Sequence, residues 1–203
     1  MSETTITKAA SDGAGADLSR LAALVGAQAG GGRKIPPVER WNPDYCGEID
    51  MRIAADGTWY YMGTPIGRPA LVRLFASVLR KDPERHVLVT PVERVGIRVD
   101  DAPFLAVEMA VEGEGEGRQI AFRTNVDDVV ALSPDHKLRF ARDDHDGVKP
   151  YVLVRGGLWA LVTRALAYDL VALAEEREVD GRRVLGVAAG GAFFEMADAD
   201  DAS

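Results

Sequence analysis

The stretch GTPIGRPALVRLF, Gly63 to Phe75, carries residue types that can hold an anion. Gly63 and Gly67 let the backbone come close to a ligand, and Pro69 suits the first helical position because its missing N–H would be unpaired there. The N–H groups that follow are free, and Arg68 adds a planar cation beside them. The competing reading is architectural: Gly63 and Pro65 make a tight strand-to-helix turn, and Arg68 pairs with an acid such as Asp56 or Glu93. Trp59 and Tyr61 alternate on the preceding strand and offer a stacking face for a base, although aromatic residues in strands also build cores. Thr124, Asn125 and Arg139 stand on strands or strand ends, where a polar side chain faces solvent or lines a cleft. The ligand-binding candidates are therefore Arg52, Trp59, Tyr61, Gly63, Thr64, Gly67, Arg68, Thr124, Asn125 and Arg139, with no catalytic or metal-binding residue and no cofactor named.

Enzyme signatures are missing. His86, His136 and His145 include no pair four residues apart on a helix, as a zinc site of the HExxH kind requires. Asp143-Asp144-His145-Asp146 lacks the alternating ligands and distal Glu of a calcium loop and reads as a solvated hairpin tip. Ser19, Ser77 and Ser133 lie in no GxSxG elbow, and the single Cys46 rules out an internal disulfide or a CxxC pair. GEGEGR is a poor phosphate loop, because its glutamates repel phosphate and no helix follows it; it reads as a strand connection.

Composition narrows the class further. The chain has 203 residues, 47% apolar and 28% charged, with a formal net charge of −8. Such a surface repels duplex phosphate unless its basic residues cluster. Arg68, Arg73, Arg80, Lys81, Arg85, Arg94 and Arg98 fall in one stretch, which reads first as a solvated face. No apolar run approaches the roughly 20 residues of a membrane helix, and the N-terminus does not read as a secretory signal. The expectation is a cytoplasmic protein without a membrane or duplex nucleic acid as partner, with a protein partner left open.

These residues need elements to position them. Residues 1–34, rich in Ala, Gly and Ser, read as a flexible leader containing a short amphipathic helix through Leu18, Leu21, Leu24 and Val25. Beyond it the patterning is mostly of period two. VGIRV and FLAVEMAVE read as a hairpin turned at Asp100 to Pro103, and Gly113 to Gly117 turns a second one into RQIAFRTNV. Leu71, Val72, Phe75, Val78 and Leu79 have helical spacing from Pro69 to about Lys81. A second helix is expected from Leu158 to Glu176, started at Gly156-Gly157 and buried on more than one side, with Leu161, Leu166 and Leu170 in the core.

An internal repeat links the pieces. Met51-Arg52-Ile53 recurs as Leu138-Arg139-Phe140, Tyr61 as Tyr151, Ala70-Leu71-Val72 as Ala160-Leu161-Val162, and Val95-Gly96-Ile97 as Leu185-Gly186-Val187. The expected fold is α+β, an internal duplication of two β-rich halves, 35–118 and 119–203, each with one main helix. The seam between duplicated halves is a common place for a ligand cleft.

VERWNPDYCGEIDMRI, DGTWYYMGTPIGRPALVRLFASVL and LVTPVERVGIRVDDAPFLAVEM, extended by FRTNVDDVVAL and HKLRF, resemble the bacterial family labelled domain of unknown function 1285. The resemblance implies two similar α+β halves, the C-terminal one loosely like a pleckstrin-homology domain. It also implies a small-ligand site at the seam for a nucleotide and a role in signal transduction, and it brings no catalytic residues with it. The residues and the resemblance together lead to a non-enzymatic binding protein for a small anionic, nucleotide-like ligand. The alternative is a protein-interaction adaptor that receives a peptide in a cleft or along a strand edge.

Overall fold

The computed structural model describes residues 35–142 and 147–199. The leader and the acidic stretch Asp143 to Asp146 lie outside the described residues. The chain divides into two compact units, one holding the residues up to Arg52 with Thr58–Arg98, the other Ile53–Gly57 with the residues from Val99 onward. The boundary at 118/119 read from the sequence falls inside a hairpin of the second unit.

The first unit is built on a six-stranded sheet. Its strands are β1 (Tyr45–Ile53), β2 (Trp59–Tyr61), β3 (Thr64–Pro65), β4 (Leu79–Lys81), β5 (His86–Val89) and β6 (Arg94–Val99), in the order β3-β2-β1-β6-β5-β4. Helix α1 (Pro69–Ser77) joins β3 to β4, with Pro69 opening it as expected. Phe75 is fully buried on the helix and stacks on Trp59, ring centroids 6.4 Å apart. The helix stops at Ser77, four residues short of the expected end, because Leu79–Lys81 pairs with β5 as Leu79↔Leu88, Arg80↔Val87 and Lys81↔His86. Val78 and Leu79 are core side chains after all, but of the turn and strand rather than of the helix.

The second unit carries β7 (Phe104–Glu112), β8 (Gln119–Thr124), β9 (Val129–Ala131), β10 (Leu138–Arg142), β11 (Val148–Arg155) and β12 (Leu158–Val162), in the order β10-β11-β12-β7-β8-β9. Helix α2 (Arg164–Val171) packs on β7 and β11 and leads to a three-stranded antiparallel sheet of β13 (Glu175–Val179), β14 (Arg182–Ala189) and β15 (Ala192–Asp198).

Three expectations are corrected. VGIRV and FLAVEMAVE form no hairpin with each other: β6 belongs to the first sheet, while β7 pairs with β8 on one side and runs parallel to β12 on the other. The second helix is half strand. Leu158–Val162 pairs with β11 and with β7, so it is a central strand, and such strands read as continuous apolar runs that periodicity cannot tell from a buried helix. Gly156-Gly157 is accordingly the two-residue turn of the β11–β12 hairpin. Of the three expected core leucines only Leu170 is fully buried; Leu161, on the strand, and Leu166 are half-buried.

The protein is an α+β internal duplication. Three strands, a helix and three strands occur twice, as β1 to β6 around α1 and as β10 to β15 around α2. Arg52 and Arg139 fall on equivalent strands, as do Tyr61 and Tyr151. Other residue matches slip: Ala70-Leu71-Val72 is helical while Ala160-Leu161-Val162 is strand, and Gly96 lies on β6 while Gly186 lies on β14.

Candidate functional site

The candidates of the first unit separate into architecture and surface. Trp59 is 1% exposed and belongs to the core with Phe75, so it presents no stacking face to a ligand. Tyr61 pairs with Thr64 across a two-residue turn in which Met62 and Gly63 both have positive φ, 49° and 73°. That is the geometry of a hairpin turn with both central residues left-handed, and it accounts for Gly63 without a ligand. Thr64 and Gly67 are exposed. Arg68 is exposed at the mouth of α1, where its carbonyl accepts from the N–H groups of Leu71 (3.0 Å) and Val72 (3.2 Å). Its guanidinium pairs with no acid among the described residues, so the expected partners Asp56 and Glu93 do not hold it. Arg52 lies over the Tyr60 ring, 4.6 Å from its centroid.

In the second unit, Thr124 and Asn125 are committed to the main chain. Thr124 is wholly buried, and its hydroxyl accepts from the N–H of Asp128 at 3.0 Å and of Val126 at 3.4 Å, closing the turn into β9. Asn125 brackets Leu105: its side-chain oxygen accepts from the Leu105 N–H at 3.0 Å, and its own N–H donates to the Leu105 carbonyl at 2.9 Å. Both stand at the end of β8, four strands along the sheet from Arg139 on β10.

Arg139 is different. On β10 it faces Tyr151 of β11 directly, and Trp159 of β12 pairs with Leu153, two residues along β11 and therefore on the same face. The opposite face of these strands, with Val152, Val154, Ala160 and Val162, is core. Residue register thus delivers one guanidinium to two aromatic rings, 4.7 Å from the Tyr151 centroid and 4.6 Å from that of Trp159. Each contact is an attraction of the cation to the ring's electron-rich face. No described residue accepts a hydrogen bond from Arg139, which is exposed, so the rings hold its plane while its N–H donors remain available.

Among the described residues, the surrounding charges leave that cation uncompensated. Asp101 accepts from the Tyr151 hydroxyl at 2.8 Å and from the Lys149 ammonium. The hydrogen bond to Asp101 holds the Lys149 pKa above its ordinary value, so lysine and aspartate stand as a charged pair. Burial, and then the bond to Asp101, pushes the Tyr151 phenol up as well, so it stays a neutral donor. Among the described residues of this cluster, Arg139 is the positive charge without an acid. Tyr151 and Trp159 were not among the sequence candidates. The signal for Trp159 was its alternation with Leu158 and Ala160, which the helical reading of that run obscured. Among the described residues, no group of three or more His, Cys, Asp or Glu is placed to hold a metal ion.

Comparison with known proteins fits this architecture. The family model described as "Domain of unknown function (DUF1285), N-terminal domain" matches residues 36–102, and "Protein of unknown function (DUF1285), C-terminal domain" matches residues 103–196. The chain belongs to the DUF1285 family. A crystal structure of a DUF1285 family protein from Silicibacter pomeroyi DSS-3 is 43% identical, with a TM-score of 0.79 over 88% of this chain and 97% of that one. A second DUF1285 structure, from Shewanella baltica OS155, is 28% identical over 61% of this chain and 91% of that one, with a TM-score of 0.49. No curated protein matches the chain. The family's N- and C-terminal models meet between Ala102 and Pro103, in the segment that joins β6 to β7. Among the described residues of this DUF1285 chain, no helix is long and apolar enough to cross a membrane.

Proposed function

We propose that this DUF1285 protein is a cytoplasmic, non-enzymatic binding protein that takes a small anionic, nucleotide-like ligand at Arg139, in bacterial signal transduction. The observation that carries the reading is the state of Arg139: a guanidinium fixed between Tyr151 and Trp159, exposed, and with no acceptor among the described residues. A planar fork held in place loses little freedom when it grips two oxygens of a phosphate or carboxylate. Beside it the half-buried Trp159 ring offers an apolar surface to a planar base.

The test is a thermal-shift and calorimetric titration of the full chain with mononucleotides and cyclic nucleotides at millimolar concentration. A binder raises the melting temperature, as any ligand selective for the folded state must. Its affinity falls with added salt, because part of the attraction acts between exposed charges. Arg139→Lys weakens it about tenfold or more, since lysine keeps the charge and loses the fork. Absence of stabilisation by every nucleotide, or undiminished binding in Arg139→Ala, overturns the reading.

A further inference from the structure

A second cluster lies in the first unit, where three neighbouring strands meet a turn. Tyr45 at the start of β1, Arg94 at the start of β6 and the β4–β5 turn Asp82-Pro83-Glu84-Arg85 line a cleft of about 340 Å³, at the small end of ligand pockets. The turn is rigid. Asp82 and Arg85 exchange main-chain hydrogen bonds (2.9 and 3.3 Å), and Pro83 sits at the second position, where its fixed φ suits a type I turn. Buried Arg80 ties the turn to the body, donating to Asp82 at 2.7 Å and to the carbonyls of Val38 and Trp41 at 2.9 and 2.6 Å. On the floor, the Tyr45 hydroxyl lies against Gly96, where a Cβ would come within 2.6 Å of it.

The charges of this cleft sort into committed and available ones. Asp82 is committed, with one oxygen on Arg80 and the other on Arg94 at 3.3 Å. Arg85 lies over the Tyr45 ring at 4.8 Å and donates to its hydroxyl at 2.8 Å, which fixes the guanidinium. Its acids are loose. Glu48 and Glu84 stand 3.4 and 3.5 Å away with side chains 63% and 83% exposed, and such surface pairs contribute little. Arg94 Nε is a buried donor with no partner among the described residues. The available groups are thus a fixed cation, two exposed carboxylates, of which Glu48 also accepts from the Tyr45 hydroxyl at 3.4 Å, and an aromatic ring with a proline beside it.

We infer that this cleft binds a small zwitterion of the amino-acid class. Its carboxylate takes the place of the loose acids on Arg85, its ammonium meets the carboxylates of Glu84 and Glu48, and its carbon skeleton lies against Tyr45 and Pro83. A phosphate would meet those two carboxylates, and a simple amine would meet Arg85, so each is repelled by half of the site. The inference is independent of Arg139, which lies in the other unit.

The experiment titrates the full chain with each standard free amino acid in a thermal-shift assay at millimolar concentration. Every hit is then repeated with the matching amine that lacks the carboxylate and the matching acid that lacks the amine. At least one amino acid is expected to stabilise the protein, with both singly charged analogues about tenfold weaker or worse. Arg85→Gln and Glu84→Gln should each weaken the amino acid, while Arg139→Ala leaves it unchanged. Both substituted side chains face solvent, and the urea midpoint of each variant checks that it folds; should one fail to fold, the other and the analogue pair decide. The inference is overturned if no amino acid stabilises the chain, if the acid analogue binds as tightly as its amino acid, or if a folded Arg85→Gln binds as the wild type does.

Discussion

Gly190 and Gly191 turn the β14–β15 hairpin, both in the left-handed region with φ of 59° and 75°. What differs is their neighbours. A Cβ on Gly190 would lie 1.8 Å from the carbonyl oxygen of Leu132 and 2.7 Å from its carbonyl carbon, while one on Gly191 would meet nothing within 4 Å. The Gly190 N–H also donates to the Arg118 carbonyl at 2.9 Å, so this turn fastens the three-stranded sheet to the six-stranded one. Alanine at Gly191 costs only the left-handed backbone, about 1–2 kcal/mol. Alanine at Gly190 carries the same cost and must also move main chain by more than an ångström, losing the bond to Arg118, for about 3–5 kcal/mol in all. The difference, about 2 kcal/mol, corresponds to about 1 M in the urea midpoint when m is about 2 kcal/mol/M. Urea unfolding of the two variants on the full chain measures it. If Gly190→Ala and Gly191→Ala unfold within about half a kcal/mol of each other, the scatter expected of a surface site, the close approach at Leu132 does not exist and the docking of the small sheet is misread.

Two further predictions test single side chains. His86, opposite Lys81 in β4, is held down to about 4 by burial first and then by that ammonium, against an ordinary 6.5. Its unfolded form therefore binds the proton more readily, and its contribution to stability is full above pH 6.5 and is lost as pH falls from there toward 4; in urea titrations across that range, His86→Gln should flatten the loss, and an unchanged slope refutes the assignment. Thr124→Val keeps the shape of the side chain but leaves the Asp128 N–H without its acceptor, at a cost of about 1–3 kcal/mol; a binding defect without a loss of stability would return Thr124 to the list of ligand contacts.

The parts of the fold that were legible are those set by local chemistry. Pro69 announced α1 because its ring and missing N–H suit one helical position, and Gly113 to Gly117 announced the β7–β8 hairpin because a glycine-rich tip joins two alternating runs. Pairing partners distant in sequence were not legible. β7 meets β12 in parallel across more than fifty residues, and nothing local to Phe104 or Ala160 records that choice. The same blindness hid the candidate site. Arg139 was found through its match to Arg52, but Trp159 could join it only once Leu158–Val162 was seen to be a strand, since a strand's period of two, not a helix's, puts Trp159 on the face of Tyr151. Conversely Trp59, the more obvious aromatic, is spent in the core because it sits under α1 against Phe75.

The duplication supplies an internal comparison for Arg139. Arg52, its counterpart, also lies over a tyrosine of the next strand, Tyr60, at 4.6 Å, so an arginine on one strand above a tyrosine on its neighbour is common to both copies. The second copy differs in adding Trp159 on the far strand and an Asp101–Lys149 pair that engages the Tyr151 hydroxyl. Each ring contributes about 0.5–1 kcal/mol to holding an exposed cation, and it does so without using a single N–H. An ion pair would fix the guanidinium equally well but would occupy the donors and cancel the charge, as Asp82 does for Arg80 in the first unit. Two rings in place of an acid therefore produce a cation that is positioned and, among the described residues, unspent. That combination is what the binding function proposed above requires, and Arg139 is the arginine of this protein to probe first.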